Sequence, residues 1–242
     1  MRRKRRRPPE CHTGRVRRVT KPVGGVLDGA VAEGFLTPLA AAEGPAHSAG
    51  FLRFGALIET GAGPGSRAGD GVQVELDTGV VAVDLGTGGG VPGLVLAALT
   101  LNRWVLVDRG DRRCTFLRWA VRELGLGDRV EVLAVDAVQA ARGGLRGKAA
   151  LVTARAFAPP GPTAECAAPF LATDGILVVS EPPGDQVDTV GRWVPDALDQ
   201  LGMVDLGGWR FSGAGYRAMR ATRTCPSRFP RRFSRQLAGP LF

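Results

Sequence analysis

Val81-Ala82-Val83-Asp84-Leu85-Gly86-Thr87-Gly88-Gly89-Gly90-Val91-Pro92-Gly93 is the stretch on which the fold turns. An apolar run of strand length passes through one acid into a glycine cluster, and apolar residues then resume. Glycine lets a backbone take positive φ and approach a ligand closely. Proline is tolerated in the first turn of a helix. The segment therefore reads as a buried strand, a tight loop and a helix beginning near Val91. In open α/β sheets this corner, at the carboxyl end of a strand, is where ligands bind.

The same texture continues on the C-terminal side. Strands are expected at Val80–Asp84, Trp104–Asp108, Val130–Val135, Ala149–Ala154 and Ile176–Ser180, with helical patterns between them. Strands alternating with helices signal βαβ units. The expected fold is α/β and Rossmann-like: a mostly parallel twisted sheet, helices on both faces and an antiparallel strand near the C-terminus. The clearest helix runs from Asp111, a candidate N-cap, to Leu124, because Cys114, Leu117, Val121 and Leu124 repeat at spacings of three and four and Gly125 can end it. Cys114 lies on that apolar stripe and reads as a small core residue. Cys166, within a helical pattern over Pro162–Leu171, reads the same way. A further helix is expected over Gln186–Leu201 and a closing hairpin over Phe211–Thr222. Residues 22–79 are rich in Gly, Ala and Pro; short helical pieces fit there, and GAGPGSRAGDG at 61–71 reads as a loop.

The chain has 242 residues and a formal net charge of +9, distributed unevenly. Residues 1–21 hold ten Lys or Arg against one acid, residues 22–206 hold 14 basic and 22 acidic residues, and residues 207–242 hold eight Arg and no acid. An acidic body thus lies between two basic ends. Like charges in a block resist compaction, so MRRKRRRPPE is expected to be disordered. Such an arm suits phosphate backbones, a solubilising tail or an over-long gene model being the other readings. Four dispersed cysteines without a CxxC pair argue against a disulfide framework or a zinc knuckle. Apolar runs fall well short of the ~18 residues of a membrane span, and no apolar segment follows the arginines to make a secretory signal. A cytoplasmic protein, monomeric by default, is the expectation.

Two cofactors compete for the glycine loop. Gly88-x-Gly90-x-x-Gly93 fits the dinucleotide fingerprint formally. Yet Asp84, two residues before Gly86, gives D-x-G-x-G-x-G, and a carboxylate there suits a sulfonium and an amino group better than a pyrophosphate. This arrangement resembles the first motif of class I S-adenosylmethionine-dependent methyltransferases. Asp108 closes the second strand, where an acid can accept from ribose hydroxyls in either family. Asp136 closes the third, where an acid could meet an adenine amino group.

Over about half its length the chain resembles one family, the small-subunit ribosomal RNA guanine-N7 methyltransferases. The matching text is VDLGTGGGVPGLVLA at 83–97, VLVDRGDRRCTFLRWAVRELGL at 105–126, ALVTARAFAPP at 150–160 and FLATDGILVVS at 170–180, with a basic tail, CPSRFPRRFSRQLAGPLF, at 225–242. The resemblance implies S-adenosylmethionine as cofactor, held by Gly86, Val91, Ala137, Val138 and Arg155. The general methyltransferase pattern adds Asp84, Gly88, Gly90, Asp108 and Asp136. The family resemblance further implies a guanine of 16S ribosomal RNA as methyl acceptor, with Arg155 facing cofactor and substrate. Phe157, two residues on, is a candidate stacking platform for an extruded base, and the basic ends, especially Arg228, Arg231, Arg232 and Arg235, are expected to hold RNA phosphates. For Arg155 a structural ion pair with a strand-end acid is the competing reading, and for Phe157 a core position.

On this basis the chain divides into a disordered basic arm (1–25), a variable extension (26–79), a methyltransferase domain (80–224) and a basic tail (225–242). His12 and His47 receive no role. The sequence departs from the family at Asp136-Ala137-Val138, which lacks the usual arginine. It departs again at Ser180-Glu181-Pro182, where a glutamate replaces a lysine, and in residues 22–79, which lack a clear counterpart of the amino-terminal helices. A paralogous methyltransferase acting on a small molecule or protein, a non-catalytic RNA-binding protein on the same fold and, last, a nicotinamide dehydrogenase are the alternatives.

Overall fold

The computed structural model describes residues 21–55, 67–68, 80–182 and 191–242. The expected loop at 61–71 lies outside these residues apart from 67–68, as does most of the basic arm.

Two helices open the described chain, α1 (Lys21–Ala32) and α2 (Pro38–Gly50). A two-residue strand, β1 (Arg67–Ala68), and β2 (Val81–Leu85) follow, then α3 (Gly93–Leu99), β3 (Arg103–Asp108) and α4 (Asp111–Glu123). Next come β4 (Val130–Ala134), α5 (Ala137–Arg142), β5 (Ala149–Ala154), α6 (Pro160–Ala167) and the long β6 (Leu171–Glu181). The chain closes with α7 (Pro195–Gln200), β7 (Met203–Phe211), β8 (Ala214–Ala221) and α8 (Phe233–Ala238).

The strands form one sheet in the order β1-β7-β8-β6-β5-β2-β3-β4. β8 runs antiparallel to both neighbours, and every other pairing is parallel. The fold is therefore the Rossmann-like α/β architecture expected. From β2 the chain builds outward through β3 and β4, then returns to lay β5 on the other side of β2. The strand order reverses there, and in doubly wound sheets the crevice at such a reversal is the ligand site.

Alternation along the strands feeds two cores. Val83, Leu85, Val105 and Val107 pack on one face with α5, α6 and α7 residues, whereas Ala82, Trp104 and Leu106 pack on the other with α1, α3 and α4. Asp84, next to Val83, therefore points to the α3 face. In α4, Asp111 is the first helical residue and Gly110 takes the N-cap position; Cys114, Leu117 and Val121 are buried, and Gly125 ends the helix at φ 63°. Cys114 and Cys166 are core residues.

Three expectations need correction. Residues 21–25, assigned to the disordered arm, begin α1, because Val23, Val26, Leu27 and Ala30 make an apolar stripe that is at most 4% exposed. The closing hairpin starts earlier than Phe211: β7 occupies Met203–Phe211 and is interrupted by a register shift between Asp205 and Gly207. Of the helix expected over Gln186–Leu201 only Pro195–Gln200 is helical, and residues 183–190 lie outside the described residues.

α2 is fixed to the sheet by aromatic donors. Trp209 Nε1 donates to the Gly50 carbonyl at 3.0 Å and Tyr216 OH to the His47 carbonyl at 2.7 Å, which satisfies acceptors in the helix's last turn. The Trp209 and Tyr216 rings stack at 5.5 Å, and Phe51 meets Tyr216 edge-on at 5.2 Å. Such pairs contribute about 0.5–1.5 kcal/mol each beyond area burial. The amino-terminal segment thus packs on the sheet as part of the domain.

The tail is equally integrated. Arg146 donates to the carbonyls of Cys225, Pro226 and Phe229, and Arg142 to that of Pro230. Arg231 forms a bidentate pair with Glu165, whose side chain is 1% exposed.

Candidate active site

A cavity of about 480 Å³ opens at the carboxyl ends of β2, β3 and β5. Its floor is the glycine loop, built from within. Asp84 is fully buried beneath it, accepting from Thr153 Oγ1 at 2.6 Å and from the Gly93 amide at 3.2 Å. Thr87 Oγ1 donates to the Asp84 carbonyl, closing the turn. Gly86 and Gly88 take φ of 67° and 59°, which a side chain would resist. A Cβ on Gly93 would lie 2.4 Å from the Asp84 carboxylate, so the helix starts with glycine there. Burial raises the Asp84 carboxyl to about 7 against the opposing hydrogen bonds of Thr153, Thr87 and Gly93.

Asp108 stands in the wall. Its Oδ2 accepts from Gly88 N at 2.9 Å, and its Oδ1 accepts from Gly110 N at 2.8 Å and Arg113 Nε at 2.9 Å. Burial works against its charge, but the Arg113 guanidinium and the two amides outweigh it and hold the carboxyl below its ordinary value. Asp136 lines the cavity and also caps α5, accepting from Val138 N at 2.8 Å.

Of the expected cofactor residues, Gly86, Gly88, Val91, Asp108, Asp136, Ala137 and Arg155 share this cavity. Asp84, Gly90 and Val138 do not line it. The β2 pleat turns Asp84 inward toward α3, Gly90 packs against Leu94, and Val138 faces the core with its amide held by Asp136.

Arg155 follows β5 and is half-buried on the cavity wall, without a hydrogen bond or ion pair among the described residues. Among the described residues the expected structural ion pair is therefore absent. Burial lowers its pKa, opposed by the charges of Tyr216, Asp84 and Glu43. Ala156 beside it takes φ 50°. Phe157 both lines the cavity and packs: a Cβ on Gly86 would lie 2.8 Å from its ring, and Phe233 of α8 meets it at 6.1 Å.

Sequence reasoning missed several wall residues. Phe35 and Leu36, between α1 and α2, face the glycine loop, where a Cβ on Gly89 would come within 2.5 Å of Leu36. Arg109, Arg113 and Phe233 complete the wall. The RRC spacing after Asp108 could have indicated Arg113, one helical turn beyond the strand end; nothing in the sequence indicates Phe35, Leu36 or Phe233.

Glu181, expected to oppose phosphate at the cleft mouth, is 5% exposed and accepts from Arg192 Nε at 2.7 Å and Trp193 Nε1 at 2.6 Å. Its charge is compensated. Arg231, one of the expected RNA contacts, is committed to Glu165, whereas Arg228, Arg232 and Arg235 are exposed. No group of three or more metal-ligating side chains occurs among the described residues, and no helix there is long and apolar enough to cross a membrane.

Comparison with known proteins agrees with this geometry. Residues 72–182 match the family model of rRNA small subunit methyltransferase G. The Cereibacter sphaeroides ribosomal RNA small subunit methyltransferase G is 39% identical over 101 residues, covering 40% of this chain and 46% of that protein. The Kineococcus radiotolerans protein of the same name is 37% identical over 131 residues, covering 53% and 49%. The chain thus spans about half the length of these curated relatives. A crystal structure from Klebsiella pneumoniae, provisionally described as an O-methyltransferase, superposes over 85% of this chain and 92% of its own with a TM-score of 0.55 at 13% identity, a likeness of fold alone. Over residues 72–182, the chain is similar to the rRNA small subunit methyltransferase G family.

Proposed function

We propose that the protein is an S-adenosylmethionine-dependent methyltransferase that methylates N7 of a guanine in 16S ribosomal RNA. The observation that carries this reading is one cavity joining the Gly86–Gly89 turn, the strand-end acids Asp108 and Asp136 and Arg155, which is unpaired among the described residues, at the reversal of strand order. Its volume lies within the ~300–1,000 Å³ of small-molecule sites. The residues fit the cofactor: glycines whose Cβ positions are occupied by Phe157 and Leu36, a carboxylate with acceptor capacity remaining on Asp108 Oδ2, and apolar Val107, Val135 and Ala137.

When bound, S-adenosylmethionine supplies an electrophilic methyl group on a sulfonium sulfur. Guanine N7 carries a lone pair and no proton, so the chain has no proton to remove. Its contribution is alignment, which can be worth several kcal/mol. Asp108 and Asp136 orient the nucleoside part, the loop amides set the depth, and Arg155 and Phe157 position the acceptor. Exposed Arg109 on the cavity wall, and the exposed Arg232 and Arg235 on either side of the lining residue Phe233 in sequence, offer phosphate contacts.

Calorimetry with S-adenosylmethionine and NAD, joined to mapping of N7-methylguanosine in small-subunit ribosomal RNA of a deletion strain, tests the reading. The expected results are binding of the first cofactor only and loss of one mark. Persistence of the mark in a strain encoding no other member of the family would refute the ribosomal substrate.

A further inference from the structure

The basic tail reaches the cavity through one aromatic side chain. Phe233, the first residue of α8, lines the cavity and meets Phe157 edge-on, with ring centroids 6.1 Å apart. Its place is fixed from α6 on both sides. Glu165 of α6 accepts from the Arg231 amide at 2.6 Å as well as from the Arg231 guanidinium. Gln236, fully buried, donates to the Arg231 carbonyl at 2.7 Å and accepts from Cys166 Sγ at 3.4 Å.

A core position does not account for the ring. Phe233 is only half-buried, and it faces the same cavity as Asp108, Asp136 and Arg155. Aromatic surface left open in such a wall is unfavourable until a flat apolar face covers it. The charge beside the ring decides which ligand of the proposed reaction that is. Arg232 and Arg235, within two residues of Phe233, are exposed, and residues 225–242 hold four arginines and no acidic side chain. S-adenosylmethionine bears a sulfonium and an ammonium against one carboxylate, so a wholly basic segment repels it. An RNA strand carries a negative charge at every phosphate, and the same segment attracts it.

We propose that Phe233 is the tail's contribution to the acceptor site: an unpaired nucleotide of RNA stacks its base on this ring beside Phe157, and Arg232 and Arg235 meet the neighbouring phosphates. The inference rests on the proposed RNA acceptor and adds a residue that holds it. The base displaces the edge contact between the two rings, and base–aromatic stacking outweighs such a contact. A ring recognises the π-face that every base has, so Phe233 holds the nucleotide and leaves the choice of guanine to other groups. The nucleotide must be single-stranded or extruded, because a base within a duplex has no free face to offer.

Fluorescence anisotropy of the full chain with a labelled single-stranded RNA of about twelve nucleotides carrying one guanosine, at several salt concentrations, tests this. S-adenosylmethionine is titrated calorimetrically into the same proteins. Phe233→Leu keeps apolar bulk and removes the π-face. It is expected to weaken RNA binding about tenfold, with the salt slope unchanged and S-adenosylmethionine affinity within about threefold of wild type. Phe233→Tyr should bind RNA as wild type does, whereas Arg232→Ala/Arg235→Ala should flatten the salt slope. Should Phe233→Leu fail to fold, Phe233→Met gives the same readings. RNA affinity within about twofold of wild type in the folded Leu or Met variant overturns the inference. A loss confined to S-adenosylmethionine also overturns it, by placing the ring against the cofactor, and so does folded wild type that binds no RNA. Wild type that binds no S-adenosylmethionine but loses RNA affinity in Phe233→Leu would remove the proposed methyl transfer and leave the RNA contact standing.

Discussion

Replacing Asp84 by Asn probes the least expected feature of the site, a strand-end acid that lies under the glycine loop instead of in the cavity. Asn keeps the shape: its carbonyl can accept the Gly93 amide, and its amide can donate to the Thr153 hydroxyl. What disappears is the ionisation. The Asp84 carboxyl is raised from 3.8 to about 7, chiefly by burial, so the folded protein favours the neutral acid. Its contribution to stability is complete below about pH 4 and is lost as pH rises through about 7. At about 1.4 kcal/mol per tenfold change in ionisation constant, the loss is on the order of 4 kcal/mol. Other carboxylates, Asp108 among them, work in the opposite sense. The effect is therefore isolated by difference, from urea unfolding of wild type and Asp84→Asn at half-unit steps from pH 4 to 8. The variant should gain on wild type steadily, by a few kcal/mol at pH 7.5, while S-adenosylmethionine affinity stays within about threefold. Parallel stability profiles would refute the buried neutral acid. A loss of cofactor affinity beyond about thirtyfold would place the carboxylate in the cavity after all.

Other perturbations address the remaining parts. Gly86→Ala imposes a side chain at φ 67° and within 2.8 Å of the Phe157 ring; calorimetry should show cofactor affinity reduced at least about tenfold, with a stability cost of about 1–3 kcal/mol. Arg231→Ala leaves Glu165 buried and unpaired, so thermal unfolding should report a loss of about 3 kcal/mol or more. The exposed pair Arg232→Ala/Arg235→Ala should leave the unfolding temperature unchanged while weakening RNA binding and flattening its salt dependence. Glu181→Lys removes the acceptor of Arg192 and Trp193; it should destabilise by about 2 kcal/mol and bring no gain in RNA affinity.

The central βαβ units were legible because their signals are local. Ala149–Ala154 is a strand in the sequence pattern and in the structure with the same bounds, and the apolar stripe of α4 fixes that helix to within a residue. α1 is obscured by Gly24, Gly25 and Gly29, which lower helix propensity, although its buried residues keep helical spacing. β7 is obscured by Gly207 and Gly208 at its register shift. Within the site, the acids and glycines could be named from strand ends, but their facing could not. Whether Asp84 points to the cavity or to α3 depends on the pleat, and whether Arg231 meets RNA or Glu165 depends on where the tail crosses α6. The same holds for His47, whose packing against Tyr216 arises from docking between elements distant in sequence.

The central claim is methyl transfer to guanine N7. It is tested most directly by incubating the purified protein with methyl-labelled S-adenosylmethionine and small-subunit ribosomal RNA from a strain lacking the family, then mapping the label by N7-specific cleavage. A single N7-methylguanosine, lost in Arg155→Ala, is the predicted result. Label at another atom of the RNA, or none on the RNA from a protein that binds the cofactor, would contradict it.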